Sequence, residues 1–403
     1  MSAAWLACTA CGARHPCDPL FRCPSCGGEL SLQFDLDARR EAFAATWRRP
    51  GNMWRRFGSV LPPCPDDAIV TLGEGGTPLV RGERLARRIG LENLWFKLEG
   101  CNPTGSFKDR QMSVAVSAGR AWGRHRYATV SSGNVGVALS AYCARAGFEA
   151  HVWVAEDTAA AKLRQITVYG AQVYLAPPSS ADMDAYLALY TGLQDFAVRR
   201  GWVPMISARP VNPYMVEGSK TIAFEIAAEL GAAPDDVFAC VGGGGCLGGI
   251  HKGFAELIGL GQAQLMPRVH GGQRGDHGHA PIDRLGDPEW RRGAYRPLDG
   301  AWAWESIRES GGSLYGVSGA EITRAQALLA AEEGIFAEPQ GAYATAALLQ
   351  AAERGEVARR ASIVCVVTGA GLKDMQSVER FADAGIATRA PIRVRGLTDE
   401  AVG

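Results

Sequence analysis

The chain has 403 residues, with 42 lysines and arginines balanced by 42 aspartates and glutamates. That neutrality argues against nucleic acid or an acidic membrane as the principal partner, and the length allows two or three domains whose core needs no disulfide staples. No apolar run reaches the ~18–20 residues of a membrane helix, and the opening Met1–Ala7 stretch is neither basic nor long enough for a leader, so a cytoplasmic location is expected.

Residues 1–34 are dense in cysteine. Cys8-x-x-Cys11 and Cys23-x-x-Cys26 form two tight pairs with eleven residues between them. Tetrahedral zinc takes four thiolates from two such pairs, giving a closed, structural site, a zinc-ribbon-like segment. Thiols without a metal and a redox pair are the alternatives, and His15 and Cys17 inside the loop are substitute ligands. Gly27–Phe34 alternates in polarity and suits a strand. Residues 35–65, rich in Arg, Trp and Pro, read as a connector with some helix. The other seven cysteines, Cys17, Cys64, Cys101, Cys143, Cys240, Cys246 and Cys365, are scattered, as buried packing residues are.

From about residue 69 the pattern is α/β. Strands are predicted at Tyr127–Ser131, His151–Ala155, Val173–Ala176, Val237–Val241 and Ser362–Val367. Helical periodicity runs over Gly136–Ala146, Ala159–Tyr169, Met183–Arg200, Glu217–Leu230 and Ile322–Glu333. Strands alternating with helices predict mostly parallel sheets covered on both faces, with ligands beyond the carboxyl ends of the strands. His270–His279 reads by default as a solvated loop. From Ala387 the chain is charged and rich in turn formers, and reads as a tail.

Three turns carry chemistry, the second and third of them directly after predicted strands. Residues 97–110 read Lys-Leu-Glu-Gly-Cys-Asn-Pro-Thr-Gly-Ser-Phe-Lys-Asp-Arg. Asn102–Gly105 is a turn, and Ser106 suits the N-cap of a helix starting near Phe107. Lys108 then sits at a positive helix end, which favours the neutral, nucleophilic amine. A lone lysine is by default a solvated one; the surrounding string is what matters. Ser131-Ser-Gly-Asn-Val-Gly136 lies 23 residues beyond Lys108 and offers backbone N–H groups to an anion, with a plain helix cap as its default. Gly242-Gly-Gly-Gly-Cys-Leu-Gly-Gly249 can turn several N–H groups onto one phosphate.

These strings together resemble the fold-type-II pyridoxal-phosphate enzymes, and most closely the threonine synthase group, with cysteate synthase and the serine and threonine dehydratases as further relatives. Thr71–Leu79, Asn212–Thr221 and Glu332–Pro339 are also similar to threonine synthase blocks. The resemblance implies a tryptophan-synthase-β-like fold of two open α/β domains. The expected division is a ribbon at 1–34, a large cofactor-binding domain from 35–115 and 215–390, a small domain at 116–214, and a tail at 391–403. It implies that Lys108 holds pyridoxal 5′-phosphate as a Schiff base and acts as general base, with Phe107 near the pyridine ring. Asn134 would meet the ring hydroxyl, Gly242, Gly243, Gly244 and Gly245 the phosphate, and Thr368 of Val367-Thr-Gly-Ala-Gly-Leu-Lys373 the pyridine nitrogen. Ser131, Ser132, Gly133 and Asn134 would take the substrate carboxylate. The implied reaction is elimination or replacement at the β or γ carbon of an activated amino acid, by a homodimer.

The chain departs from that family where a phosphorylated substrate is held. The family pattern Asn-Pro-x-Arg-x-Glu-Gly-Gln-Lys-Thr becomes Asn-Pro-Tyr-Met-Val-Glu-Gly-Ser-Lys-Thr, with Met215 in place of the arginine. Val135, Pro210 and Cys246 replace a threonine, a serine and an asparagine. Each charged hydrogen bond to phosphate is worth roughly 1.5–3 kcal/mol. The expectation is therefore a substrate other than O-phosphohomoserine, met by Val135, Met215 and Cys246, unless Arg209, Arg274, His277 or His279 supplies the charge. Gln111, where the family has glycine, is a further departure.

Overall fold

A computed structural model describes residues 4–131, 133–158, 160–177, 183–275, 280–287 and 295–383. Strands β1 (Ala4–Cys8), β2 (Arg14–His15) and β3 (Leu30–Phe34) form an antiparallel sheet in the order β2-β1-β3. Leu6, Leu30 and Leu32 are buried, and this small core is completed by Ala118 and Tyr214 from the rest of the chain. Two short helices, α1 (Leu36–Ala44) and α2 (Met53–Phe57), carry the connector. Phe43 of α1, Trp47 of the turn between them and Phe57 of α2 pack with Phe224 into the largest hydrophobic core.

The chain then enters the larger sheet through β4 (Leu79–Gly82), α3 (Arg84–Ile89) and β5 (Asn93–Leu98), and leaves it along α4 (Lys108–Ala121). A second sheet follows: β6 (Arg126–Val130), α5 (Asn134–Ala146), β7 (Glu149–Ala155), α6 (Ala160–Val168), β8 (Gln172–Ala176), α7 (Met183–Arg199) and β9 (Val203–Pro204). Its four strands run parallel in the order β8-β7-β6-β9. The chain returns through α8 (Val216–Leu230), β10 (Asp236–Val241), α9 (Gly245–Gly259), β11 (Arg268–Arg274), α10 (Gly300–Glu309), β12 (Leu314–Val317), α11 (Gly319–Glu333), α12 (Tyr343–Glu353) and β13 (Ser362–Val367). The larger sheet has the order β12-β11-β10-β13-β5-β4, parallel except for the edge strand β4.

The central strands are buried on both faces, which is why Asp236–Val241 and Ser362–Val367 read as near-continuous apolar runs. β11 corrects the sequence reading of His270–Arg274 as loop. Its His270 is 2% exposed, bonds Asp236 Oδ1 at 2.9 Å and stacks on Phe238 at 4.4 Å. Gly272 lets α12 approach: a Cβ there would stand 2.4 Å from the Tyr343 carbonyl oxygen. Polar and glycine residues here serve close packing, and the apolar pattern of a strand is lost. His277 and His279 lie outside the described residues. Among the described residues no helix is long and apolar enough to cross a membrane.

Candidate active site

β10, β13 and β5 are neighbours in the larger sheet, and the loops leaving their carboxyl ends converge. The β5 loop leads to Lys108, the β10 loop is Gly242–Gly245, and the β13 loop carries Thr368. These loops are laced together: Phe107 N–H donates to the Thr368 carbonyl at 3.1 Å, Ala370 N–H to the Gly105 carbonyl at 3.0 Å, and Glu338 N–H to the Gly369 carbonyl at 3.1 Å. The smaller sheet adds the loop after β6, with Ser131, Gly133 and Asn134, and Ser207 just beyond β9. Ser132 lies outside the described residues.

The lysine loop rests on buried charge. Arg110 is fully buried between Glu99, at 2.7 Å from Nε, and Glu225, at 2.7 Å from Nη2. Lys97 joins Glu225 at 3.0 Å and Glu229 at 2.6 Å, while Thr77 and Asn102 donate to Glu99. Asp109 ties the turn, accepting from Thr104 N–H and Thr104 Oγ1, both at 2.7 Å. Burial pushes Asp109 up to about 7, against the opposing pull of these Thr104 bonds. The helix N-cap is Phe107, one residue later than the sequence suggests, and no side chain caps it. The buried Ser106 hydroxyl has no partner among the described residues. The Asp109 carboxylate has taken over the loop's orphan donors.

Lys108 Nζ stands 4.2 Å from the Phe107 ring centroid and donates to Ser207 Oγ at 2.5 Å. Burial pushes its amine down to about 8, against the pull of Cys246, Cys240, Asp299 and Glu338. Desolvation, rather than the helix end, is the leading cause. Opposite it, Asn134 Nδ2 donates to Glu338 Oε1 at 2.5 Å, and Glu338 faces Lys162 at 3.6 Å. Asn134 Oδ1 is buried with no partner among the described residues.

The glycine loop is a backbone cradle at the N-terminus of α9. Gly244 has φ +96°, and a Cβ there would lie 2.6 Å from the Asp299 carbonyl oxygen. A Cβ at Gly242 would lie 2.3 Å from Gln340 Nε2. Side chains are thus excluded and the N–H groups are left to meet a ligand. Asp299 closes the far side, accepting the Arg209 N–H at 3.1 Å; burial pushes its carboxyl up to about 7. Ser207 and Asp299 escape the sequence reading, because nothing in their local strings marks them, and Glu338 is marked there only as part of the Glu332–Pro339 block.

The residues that replace the family's phosphate ligands are apolar in their packing too. Met215 is fully buried, and half-buried Val135 packs against the same cluster, with Met112, Leu139 and Met205. Cys246 is 7% exposed, in the main core. Arg209 is engaged elsewhere, 3.1 Å from Glu29 Oε2 and 4.4 Å from the Trp302 ring centroid.

Residues 70–369 match the family model described as "Pyridoxal-phosphate dependent enzyme". A threonine synthase from Synechocystis sp. is 36% identical over 89% of this chain and 92% of its own length. The chain belongs to the threonine synthase family of pyridoxal-phosphate-dependent enzymes. A second relative, the threonine synthase of Methanocaldococcus jannaschii, is 34% identical over 96% of this chain and 97% of its own. Among solved structures, the processed form of threonine deaminase isoform 2 from Solanum lycopersicum superposes with TM-score 0.62 at 20% identity, over 80% of this chain and 90% of that one. O-ureido-L-serine synthase gives TM-score 0.60 at 23% identity, over 77% and 93%. This is the fold-type-II architecture, and the chain is a threonine synthase-like lyase that works by elimination or replacement.

A separate cluster lies in the ribbon. The sulfurs of Cys8, Cys11, Cys23 and Cys26 all fall within 4.8 Å of one another. Cys8 and Cys26 are 3.5 Å apart, Cys11 and Cys23 3.8 Å. Four sulfurs around zinc stand about 3.8 Å apart. His15 Nε2 approaches Cys23 Sγ at 3.4 Å. Burial raises the Cys23 thiol, but His15 and the N–H groups of Ser25 and Cys26 outweigh it and hold it at about 5. Cys26 receives the Gly28 N–H, which lowers it, yet the Cys11 and Cys8 sulfurs push it up to about 12. Four thiols this close cannot all ionise without a cation between them.

Proposed function

We propose that the substrate is an activated amino acid whose leaving group is not a phosphate. The observation that carries this is the burial of Met215 in one apolar cluster with Val135, where a phosphate ligand would need a cation. The residues present fit the cofactor: a backbone cradle that admits no side chain, a lysine at its mouth, and a buried amide oxygen without a partner among the described residues.

In this reading Lys108 and Phe107 hold the cofactor's aldehyde end and ring, Gly242–Gly245 its phosphate, Asn134 its ring hydroxyl and Thr368 its pyridine nitrogen. When bound, pyridoxal phosphate supplies the sink for charge developed at the substrate's α carbon. Lys108 Nζ, whose amine burial lowers to about 8, takes the α-proton. Ser131, Ser132 and Gly133 bind the substrate carboxylate, and Val135 and Cys246 exclude water from the side-chain end. The Cys8, Cys11, Cys23 and Cys26 cluster holds one structural zinc ion; its sulfur spacing supports this. A cytoplasmic homodimer completes the reading.

A second reading, threonine synthesis from O-phosphohomoserine, is favoured by the threonine synthase relatives at 34–36% identity. Absorbance spectra of the protein with O-phosphohomoserine and a panel of other amino acids, beside Lys108→Ala, decide between them. The first reading expects a visible band that Lys108→Ala abolishes and that only non-phosphorylated amino acids perturb. Threonine formed from O-phosphohomoserine at a useful rate would overturn it.

A further inference from the structure

Lys108 has a partner chain that leads away from the ligand cradle. Lys108 Nζ donates to Ser207 Oγ at 2.5 Å, Ser207 Oγ to Gln111 Oε1 at 2.5 Å, and Gln111 Nε2 to Ser219 Oγ at 2.7 Å. Gln111 and Ser219 are 0% exposed, and Ser207 is 9% exposed, so water does not compete for these bonds. Helices α4 and α8, which carry Gln111 and Ser219, are in close contact here: a Cβ at Gly218 would lie 2.2 Å from the Arg110 carbonyl oxygen. Both residues depart from the threonine synthase pattern, which has glycine at 111 and glutamine at 219. A glutamine is retained in this space, and it comes from the opposite helix.

The direction of the bonds has a chemical consequence. An amide oxygen only accepts, so Gln111 Oε1 takes the single proton of Ser207. Ser207 Oγ is left with lone pairs alone for Lys108, and Nζ must donate. A neutral amine that spends an N–H on Ser207 keeps its lone pair for the other side. The Ser207 backbone borders the cradle: its carbonyl oxygen is 3.7 Å from a Cβ placed at Gly243.

We propose that Ser207, Gln111 and Ser219 form a one-way hydrogen-bond relay that keeps the Lys108 lone pair turned toward the reacting face. Ser207 touches the reacting nitrogen and is a catalytic residue; Gln111 and Ser219 act through it and are positioning residues. This rests on the reading of Lys108 as the reactive lysine. Without Gln111 the Ser207 hydroxyl is free to swing round and donate into the lone pair, which would tie up the nucleophile.

The test follows capture of Lys108 itself, not turnover. Full-length protein freed of bound cofactor is mixed with pyridoxal 5′-phosphate and borohydride across a pH series, and modified Lys108 is counted by peptide mass spectrometry. Cys240, Cys246, Asp299 and Glu338 also face the amine, and all are left unchanged. Ser207→Ala removes an acceptor that favours the ammonium form, so the capture midpoint falls by about one pH unit. Gln111→Met lowers the high-pH rate by about 3- to 10-fold. The double variant regains the Ser207→Ala rate, because no hydroxyl is left to block the lone pair; a merely structural glutamine would give no such rescue. Ser207→Thr restores the wild-type midpoint. A Gln111→Met protein with the full rate, or a double variant slower than either parent, overturns the relay while leaving the Lys108 reading intact. Failure of the wild type to be captured at Lys108 overturns both.

Discussion

Replacing Arg110 by methionine tests whether buried charge supports the lysine loop. The guanidinium makes hydrogen bonds of 2.7–2.8 Å to both oxygens of Glu99 and of Glu225, with further contacts to Thr221 at 3.0 Å and Thr77 at 3.2 Å. In the variant Glu225 keeps Lys97 at 3.0 Å and Arg56 at 3.9 Å, whereas Glu99 keeps Thr77 and Asn102 and loses its cation. Removing one member of a buried ion pair costs about 3–5 kcal/mol, set against a typical total stability of about 5–15 kcal/mol. Urea unfolding should therefore shift strongly.

The pH dependence gives the sharper test. Burial raises Glu225, but Arg110 and Lys97 outweigh it and hold the carboxyl well below the usual range. Such a group stabilises the wild type fully above the unfolded value, about 4.3, and the contribution is lost as pH falls through the folded value. In Arg110→Met Glu225 loses its leading cation, and its folded value moves back toward the unfolded one. The difference between the two proteins from this group is full above the unfolded value and is lost as pH falls below it. The stability gap therefore narrows as pH falls from about 5 toward about 3. An unchanged gap over that range, or a loss under about 1 kcal/mol, would refute the role given to the network.

Gly244→Ala places a Cβ at φ +96° and 2.6 Å from the Asp299 carbonyl oxygen, so pyridoxal phosphate should bind at least about tenfold more weakly; an unchanged Kd by fluorescence titration would show that the loop is not the cradle. Cys8→Ser should remove the metal: elemental analysis is expected to give one zinc per chain in the wild type and none in the variant, with a lower urea midpoint. A wild type purified and refolded with zinc that still carries none would sink the metal assignment.

Much of this site can be read from the string alone because it is built from backbone. Glycine turns after apolar strands mark where N–H groups collect, and Gly242–Gly245 needs no distant partner to be recognised. The supporting charges are another matter. Glu99, Arg110 and Glu225 look like ordinary surface residues in sequence, and their pairing spans up to 115 positions. Ser207 is invisible for the same reason, being 99 residues from the lysine it touches. Gln111 does carry a signal, a bulky amide where the family pattern has glycine, but its direction of donation depends on Ser219. Strand β11 is lost to periodicity because His270 is hydrogen-bonded to Asp236 inside the core and Gly272 admits a helix.

The cysteine ribbon bears on the order in which the molecule is assembled. Its strands leave the ribosome well before the groups that seat them are made. Arg22 waits for Gln194, 172 positions on, and the Leu32 carbonyl waits for Lys252, 220 positions on. Tyr214, which closes the ribbon's core and donates to the Asp18 carbonyl at 2.6 Å, also arrives late. At about 5–20 residues per second, that leaves the segment alone for roughly ten seconds or more. A metal clasp would give so small a sheet a shape of its own through that interval. The ribbon would then be folded early and docked late.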